Sequence, residues 1–206
     1  MKKLILIGAG GMGLEILDVA KNSIGYGTIF SIKGFLDDNE SADTGGAQHL
    51  GTISNYRLQM NDVFVCTLGD IKLKEVLVQR IIDKGGVFMS LIHKESDVNA
   101  SVSIKEGCIV MRNAHLGNNA RLESHVLTQI GSVIGHHVEV QSFARIDCYA
   151  ICVGGSKIGK GSIVHSGSVI NHNVEIGTHG VVGANSFVIR DVKNNTTVYG
   201  NPAKRI

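Results

Sequence analysis

From Val98 to Val188, every sixth residue falls in one apolar register. The series runs Val98, Ile104, Val110, Leu116, Leu122, Thr128, Ile134, Val140, Ile146, Cys152, Ile158, Val164, Ile170, Ile176, Val182 and Val188. Only Thr128 and Cys152 are not aliphatic, and both are small enough for a narrow core. Four residues after each member stands a small or modest side chain, among them Cys108, Ala114, Ala120, Ser132, Ala144, Ala150 and Ser156. A period of six is neither the 3.6 of a helix nor simply the 2 of a strand. It predicts a β-helix of hexapeptide repeats, in which short parallel strands wind around a prism and each face points one residue inward. With three hexapeptides to a coil, about five coils stack, held mainly by contacts between neighbours.

The first ninety residues follow a different pattern. Lys2 to Ile7 reads as a short buried strand. It runs into Gly8-Ala9-Gly10-Gly11-Met12-Gly13, and Leu14, Ile16, Leu17, Val19 and Ala20 follow at helical spacing. Strand, glycine turn and helix make the first unit of a nucleotide-binding α/β domain, in which glycines let a phosphate approach the N–H groups of a helix start. Further on come Gly34-Phe35-Leu36-Asp37-Asp38, a strand Val63 to Thr67, the turn Leu68-Gly69-Asp70, and an amphipathic helix from about Ile71 to Lys84. A last strand spans Val87 to Ile92. Two domains are thus expected: 1–92, α/β and Rossmann-like, and 93–206, the coil. A full dinucleotide domain needs roughly twice this length, so a half-domain holding one phosphorylated ligand is preferred to an NAD site. Asp37 and Asp38, at a strand edge, read either as ribose or base acceptors or as a solvated turn.

Composition narrows the functions. With 20 basic and 18 acidic residues interspersed, no electrostatic footprint for nucleic acid is visible. The apolar run Leu4 to Ile7 is too short for a signal peptide, and no stretch approaches the roughly 20 apolar residues of a membrane span. Cys66, Cys108, Cys148 and Cys152 have no CxxC spacing, and buried thiols in a reducing cytoplasm are expected.

Candidate chemistry centres on histidine. Residues 18 apart should stack, separated by about 4.8 Å. His136 then lies beneath Gly154 and His137 beneath Gly155, a notch of two imidazoles facing bare backbone. His172 stands two rungs above His136, about 10 Å away, too far to share a zinc ion within one chain. His165 stacks on Asp147 as a surface pair.

Here the chain resembles a known family. The opening Met1 to Gly13, Gly34-Phe35-Leu36-Asp37-Asp38, Ser90-Leu91-Ile92-His93, the hexapeptide array and the closing Val198 to Ile206 occur in the order found in NeuD-type sugar O- and N-acetyltransferases. The resemblance implies a left-handed β-helix, a homotrimer, acetyl-CoA as donor and no metal. It also implies an N-terminal domain that holds the nucleotide of a sugar substrate, in bacterial surface-glycan biosynthesis. It makes His136 the general base, with His137 beside it, in Val133-Ile134-Gly135-His136-His137. Gly154, Gly155, Lys157 and Ala184 fall to acetyl-CoA, with Gly154 beside the thioester. Gly10, Gly11, Met12, Gly13, Asp37, Asp38, Gly69 and Arg145 fall to the substrate.

Three positions depart from the family pattern. The residue after the base is usually Glu or Asp and is His137 here. Met12 stands where a histidine is usual, and Arg145 where a second coil histidine often is. Arg145 suggests a more acidic, sialic-type acceptor beside the alternative of a nucleotide-linked amino sugar. A trimeric sugar-nucleotide-binding scaffold that has lost catalysis is the non-enzymatic reading, and a zinc enzyme is a third.

Overall fold

The computed structural model describes all 206 residues, in two compact units, Met1–Lys94 and Glu95–Ile206. In the first unit, β1 (Lys2–Ile7) is the middle strand of a parallel sheet, flanked by β2 (Phe30–Leu36) and β3 (Asp62–Cys66). Leu4 to Ile7 and Phe64 are buried, the unalternating pattern of a strand covered on both faces. Helices α1 (Gly11–Lys21) and α2 (Ile71–Asp83) follow β1 and β3, and a short β4 (Leu91–Ile92) ends the unit. The strand expected over Val87 to Ile92 is shorter than predicted, though Phe88 still bridges to Phe64.

The glycine turn is forced by packing. A Cβ on Gly13 would sit 2.2 Å from the Gly8 carbonyl oxygen, so only glycine lets α1 start this close to β1. Helix α1 begins at Gly10 with no side-chain cap, which leaves its first N–H groups open to a ligand. At α2 the equivalent role is filled internally, because the Asp70 carboxylate accepts from Leu73 N at 2.9 Å.

The second unit is the predicted coil, a left-handed β-helix. Two-residue strands stack in parallel into three sheets, one with six strands, so the chain makes about six turns. The count exceeds the expected five because the six-residue register begins at Val98 and ends at Val188 on the same face, which gives that face a sixth strand, while Thr197–Tyr199 extends a neighbouring sheet beyond the register. Partners are 18 residues apart, for example Val133 with Ile151 and Ile134 with Cys152. The inward register is sealed: Leu116 to Ile176 and Val182 are at most 1 % exposed, Thr128 and Cys152 included. Burial pushes the Cys152 thiol up to about 12, so it serves as an apolar filler.

At the corners, every sixth residue from Gly107 through Asn185 has a positive φ. Gly131, Gly155, Gly161 and Gly167 share this register with Asn113, Asn119, His125, His137, Phe143, Tyr149, Asn173 and His179. The left-handed corner lets a two-residue strand turn onto the next face. His125, His137 and His179 are therefore corner residues first, whatever else they do. No helix is long and apolar enough to cross a membrane.

Candidate active site

The edge of the prism after the strand Val133–Ile134 carries His136 and His137, and the next rungs bring Gly154–Gly155 and His172–Asn173 over them. The stacking read by subtraction holds, but the notch is filled. His136 lays its ring against Gly154 so closely that a Cβ there would sit 2.4 Å from Nε2 and 2.5 Å from Cε1. From the far side, His172 Nδ1 lies 2.5 Å from the Gly154 carbonyl oxygen. A carbonyl only accepts, so Nδ1 of His172 carries the proton and its Nε2 the lone pair. Two exposed imidazoles thus bracket one buried glycine. The Gly154 N–H has no acceptor within the chain, which suits a donor awaiting a ligand oxygen.

His137 turns away from Gly155. Its Nδ1 lies 3.1 Å from His136 Nδ1, with the two rings nearly perpendicular. Its Nε2 lies 3.1 Å from the side-chain amide of Asn119, one rung below. The space at Gly155 is taken by Asn173, whose Oδ1 would be 2.2 Å from a Cβ there. Beside His137 opens a groove of about 740 Å³ whose walls are Ser101, Ser103, Asn119, Arg121 and Glu139.

The other expected residues do not all gather here. Lys157 is exposed on the next face, between Glu139 and Glu175 in register. Ala184 and Arg145 belong to a different face and edge of the prism, near the strands Val181–Val182 and Arg145–Ile146. Arg145 is not a free cation: its Nε lies 2.7 Å from Asp147 Oδ1, and Asp147 Oδ2 also meets His165 Nδ1 at 2.8 Å. The stacked His165–Asp147 pair is therefore a three-member cluster. No group of three or more His, Cys, Asp or Glu side chains converges in a way that could hold a metal ion.

In the first unit, Gly10, Asp37 and Asp38 line a cavity of about 290 Å³ at the carboxyl ends of β1 and β2. Asp37 Oδ2 accepts from Ala9 N at 2.7 Å and so braces the glycine turn, while Asp38 lines the cavity beside it. Gly11, Met12, Gly13 and Gly69 are not in the wall. Sequence reasoning missed Ile53, Leu73, Leu77 and Arg80, which are. Leu73, Leu77 and Arg80 share one face of α2 at i, i+4 and i+7, a spacing that any amphipathic helix shows.

Comparison with known proteins agrees with both units. The family model described as the PglD N-terminal domain matches residues 3–81. The acetyltransferase domain of PglB from Neisseria gonorrhoeae FA1090, solved with acetyl coenzyme A, is 26 % identical. It superposes with a TM-score of 0.89 over 100 % of this chain and 99 % of that one. PerB from Caulobacter crescentus, solved with CoA and GDP-perosamine, is 22 % identical, with a TM-score of 0.91 over 100 % and 98 %, and shares the fold. A serine acetyltransferase of Buchnera aphidicola is 32 % identical over 84 residues, 36 % of this chain and 30 % of that protein. The chain thus spans about a third of the length of the curated relatives it matches.

Proposed function

We propose that this chain, of the NeuD/PglD type by its N-terminal domain and hexapeptide coil, transfers the acetyl group of acetyl-CoA to the amine of a nucleotide-linked sugar. The observation that carries the reading is the pair of exposed imidazoles on the buried Gly154: a ring nitrogen, an N–H without an acceptor in the chain and bare backbone side by side. His136 Nε2 takes the proton of the acceptor amine as that amine attacks the thioester carbonyl. The Gly154 N–H meets the oxyanion. Collapse expels the CoA thiolate, which recovers the proton from His136. The transfer is direct and needs no covalent enzyme intermediate.

The acceptor's nucleotide belongs in the cavity of the first unit, with phosphates at the uncapped start of α1 and Asp38 toward ribose or base. N-acetylation is preferred to O-acetylation of a sialic-type sugar, because Asp147 already neutralises Arg145. PglB and PerB, with their bound acetyl coenzyme A and GDP-perosamine, support the same choice.

A homotrimer completes the site. Gly154 and Gly155 lie on one edge of the prism, Ala184 and Arg145 on another, and only neighbouring copies bring two such edges together. One face suits that role, since its outward ladder Val133, Ile151, Val169 and Phe187 is apolar. The next face carries Arg121, Glu139, Lys157 and Glu175 instead. The four cysteines form no disulfide, and all but the half-buried Cys148 are buried, which fits a reducing cytoplasm.

The test is CoA release with a panel of UDP-, GDP- and CMP-linked sugars. Release dependent on a nucleotide-linked amino sugar supports the reading. Tight binding of such a sugar without any CoA release would make the protein a scaffold and overturn it.

A further inference from the structure

Asn119, His137 and His136 form a single hydrogen-bonded line along one edge of the prism, and its proton inventory can be counted. The Asn119 N–H is anchored to Ser101 Oγ at 2.8 Å, its side-chain amide meets His137 Nε2 at 3.1 Å, and His137 Nδ1 meets His136 Nδ1 at 3.1 Å. Two facing Nδ1 atoms can hold one proton between them: one donates and the other accepts. The amide at the end of the line decides which. With Asn119 Nδ2 toward the ring, as the structure has it, His137 Nε2 accepts and His137 Nδ1–H donates. His136 Nε2 then carries a proton. With Oδ1 toward the ring, every bond reverses: His137 Nε2–H donates to Asn119, His136 Nδ1–H donates to His137, and His136 Nε2 holds a lone pair. A half-turn of the amide, which hardly changes its shape, separates the two.

We propose that Asn119 is a positioning residue that selects the tautomer of His136 through His137, and that the three act as a proton relay. The inference rests on the acyl-transfer reading of His136. In the productive sense, the amine proton goes to His136 Nε2 while the proton on His136 Nδ1 moves to His137 Nδ1. His136 stays neutral with its proton on Nε2, ready for the CoA thiolate. The positive charge rests on His137, hydrogen-bonded to Asn119 Oδ1. When the thiolate takes the Nε2 proton, the proton on His137 Nδ1 returns to His136 Nδ1 and the cycle closes. His137 thus does the work of the missing carboxylate by passing charge down the rung. The charged groups on the same groove are Glu139, placed to favour that imidazolium, and Arg121, which opposes it. On the other side of His136 stands His172, tied to Gly154.

Asn119 has φ 57°, a conformation glycine adopts without strain, so Asn119→Gly removes the amide and keeps the corner. Asn119→Asp can only accept. Ring-nitrogen NMR of the whole protein labelled with ¹⁵N-histidine reads each tautomer directly, without substrate. Expected are a His136 Nε2 lone pair locked in by Asn119→Asp and a mixture in Asn119→Gly. In turnover, Asn119→Gly should lose about tenfold or more in kcat with the KM for acetyl-CoA unchanged, and Asn119→Asp should restore it. Identical histidine spectra in parent, Asn119→Gly and Asn119→Asp would overturn the relay. Failure of the parent to acetylate any acceptor would instead sink the acyl-transfer reading and leave the spectra to judge the relay.

Discussion

His136 and Gly154 occupy adjacent rungs so tightly that the imidazole fills the place a Cβ would take, 2.4 Å from Nε2. The conflict is one-sided. Gly154 does not have a left-handed φ, and what a methyl would strike is the free end of an exposed ring. Gly154→Ala is therefore expected to leave the melting temperature nearly unchanged while displacing His136. A shift of about 1 Å at a reacting group can cost roughly 10²-fold in rate. Calorimetry and initial rates on the same preparation check the split. A large loss of stability with normal turnover would mean that the ring position is structural.

His136→Ala should lower kcat by about 10²-fold or more if Nε2 takes the acceptor proton. His172 offers a sharp contrast, because its lone-pair nitrogen is fixed by the Gly154 carbonyl independently of any relay. His172→Ala leaves that carbonyl only the Asn173 N–H at 3.3 Å and is expected to raise the KM for acetyl-CoA more than it lowers kcat. If His136→Ala turns over normally and His172→Ala does not, the base is His172.

The inward register of the coil could be read from sequence because burial on a prism needs only periodicity, and stacking followed by subtracting 18. That arithmetic placed His136 under Gly154 but could not show the ring lying over the glycine, which depends on a rotamer. Nor did it show the left-handed corner register, where Gly, Asn, His, Phe and Tyr share a backbone conformation and no chemistry. Asn119 was reachable in principle, standing 18 residues before His137. In the first unit, Gly10 and the Asp37–Asp38 pair stood out as punctuation. The cavity wall from α2 reads as ordinary helix, since leucines facing a ligand and leucines facing a core have the same spacing.

The corner register makes its own prediction at Asn113, an exposed residue with φ 56°. Asn113→Gly should be near neutral in urea unfolding. Asn113→Val should lose about 1–2 kcal/mol, because a β-branched side chain meets the following carbonyl in this conformation. Equal stability of the two variants would show that neighbouring rungs do not hold the corner left-handed.

Acid sensitivity should come from the first unit. Burial alone would raise the Asp62 carboxyl, but Lys33 at 2.7 Å, the Gln59 N–H at 2.8 Å and the Tyr56 hydroxyl at 2.8 Å together hold it below the ordinary carboxylate value. A carboxyl lowered on folding contributes its full stability above its unfolded pKa. That contribution is lost as pH falls through the folded value. Unfolding midpoints between about pH 6 and about pH 2, roughly two units either side of an ordinary Asp carboxyl, should decline in the parent and decline less in Asp62→Asn. At neutral pH the variant should be weaker by about 2 kcal/mol, the worth of hydrogen bonds to a buried charged group. Parallel pH curves would place the acid-sensitive group elsewhere.

Assembly is tested at Ile151, 37 % exposed in the middle of the apolar outward ladder between Val133 and Val169. A β-face that repeats valine, isoleucine and phenylalanine toward solvent needs a cover, whereas the neighbouring charged ladder does not. Ile151→Glu places a carboxylate where three faces would meet, and its desolvation opposes association without touching the inward core. Light scattering should give three copies for the parent and one for the variant, at matching circular dichroism. Turnover should fall with the mass, because in the proposed trimer Ala184 and Arg145 would reach the Gly154 edge only from another copy. If mass falls and turnover stays, each chain carries a complete site, and the assignment of Ala184 to acetyl-CoA is wrong.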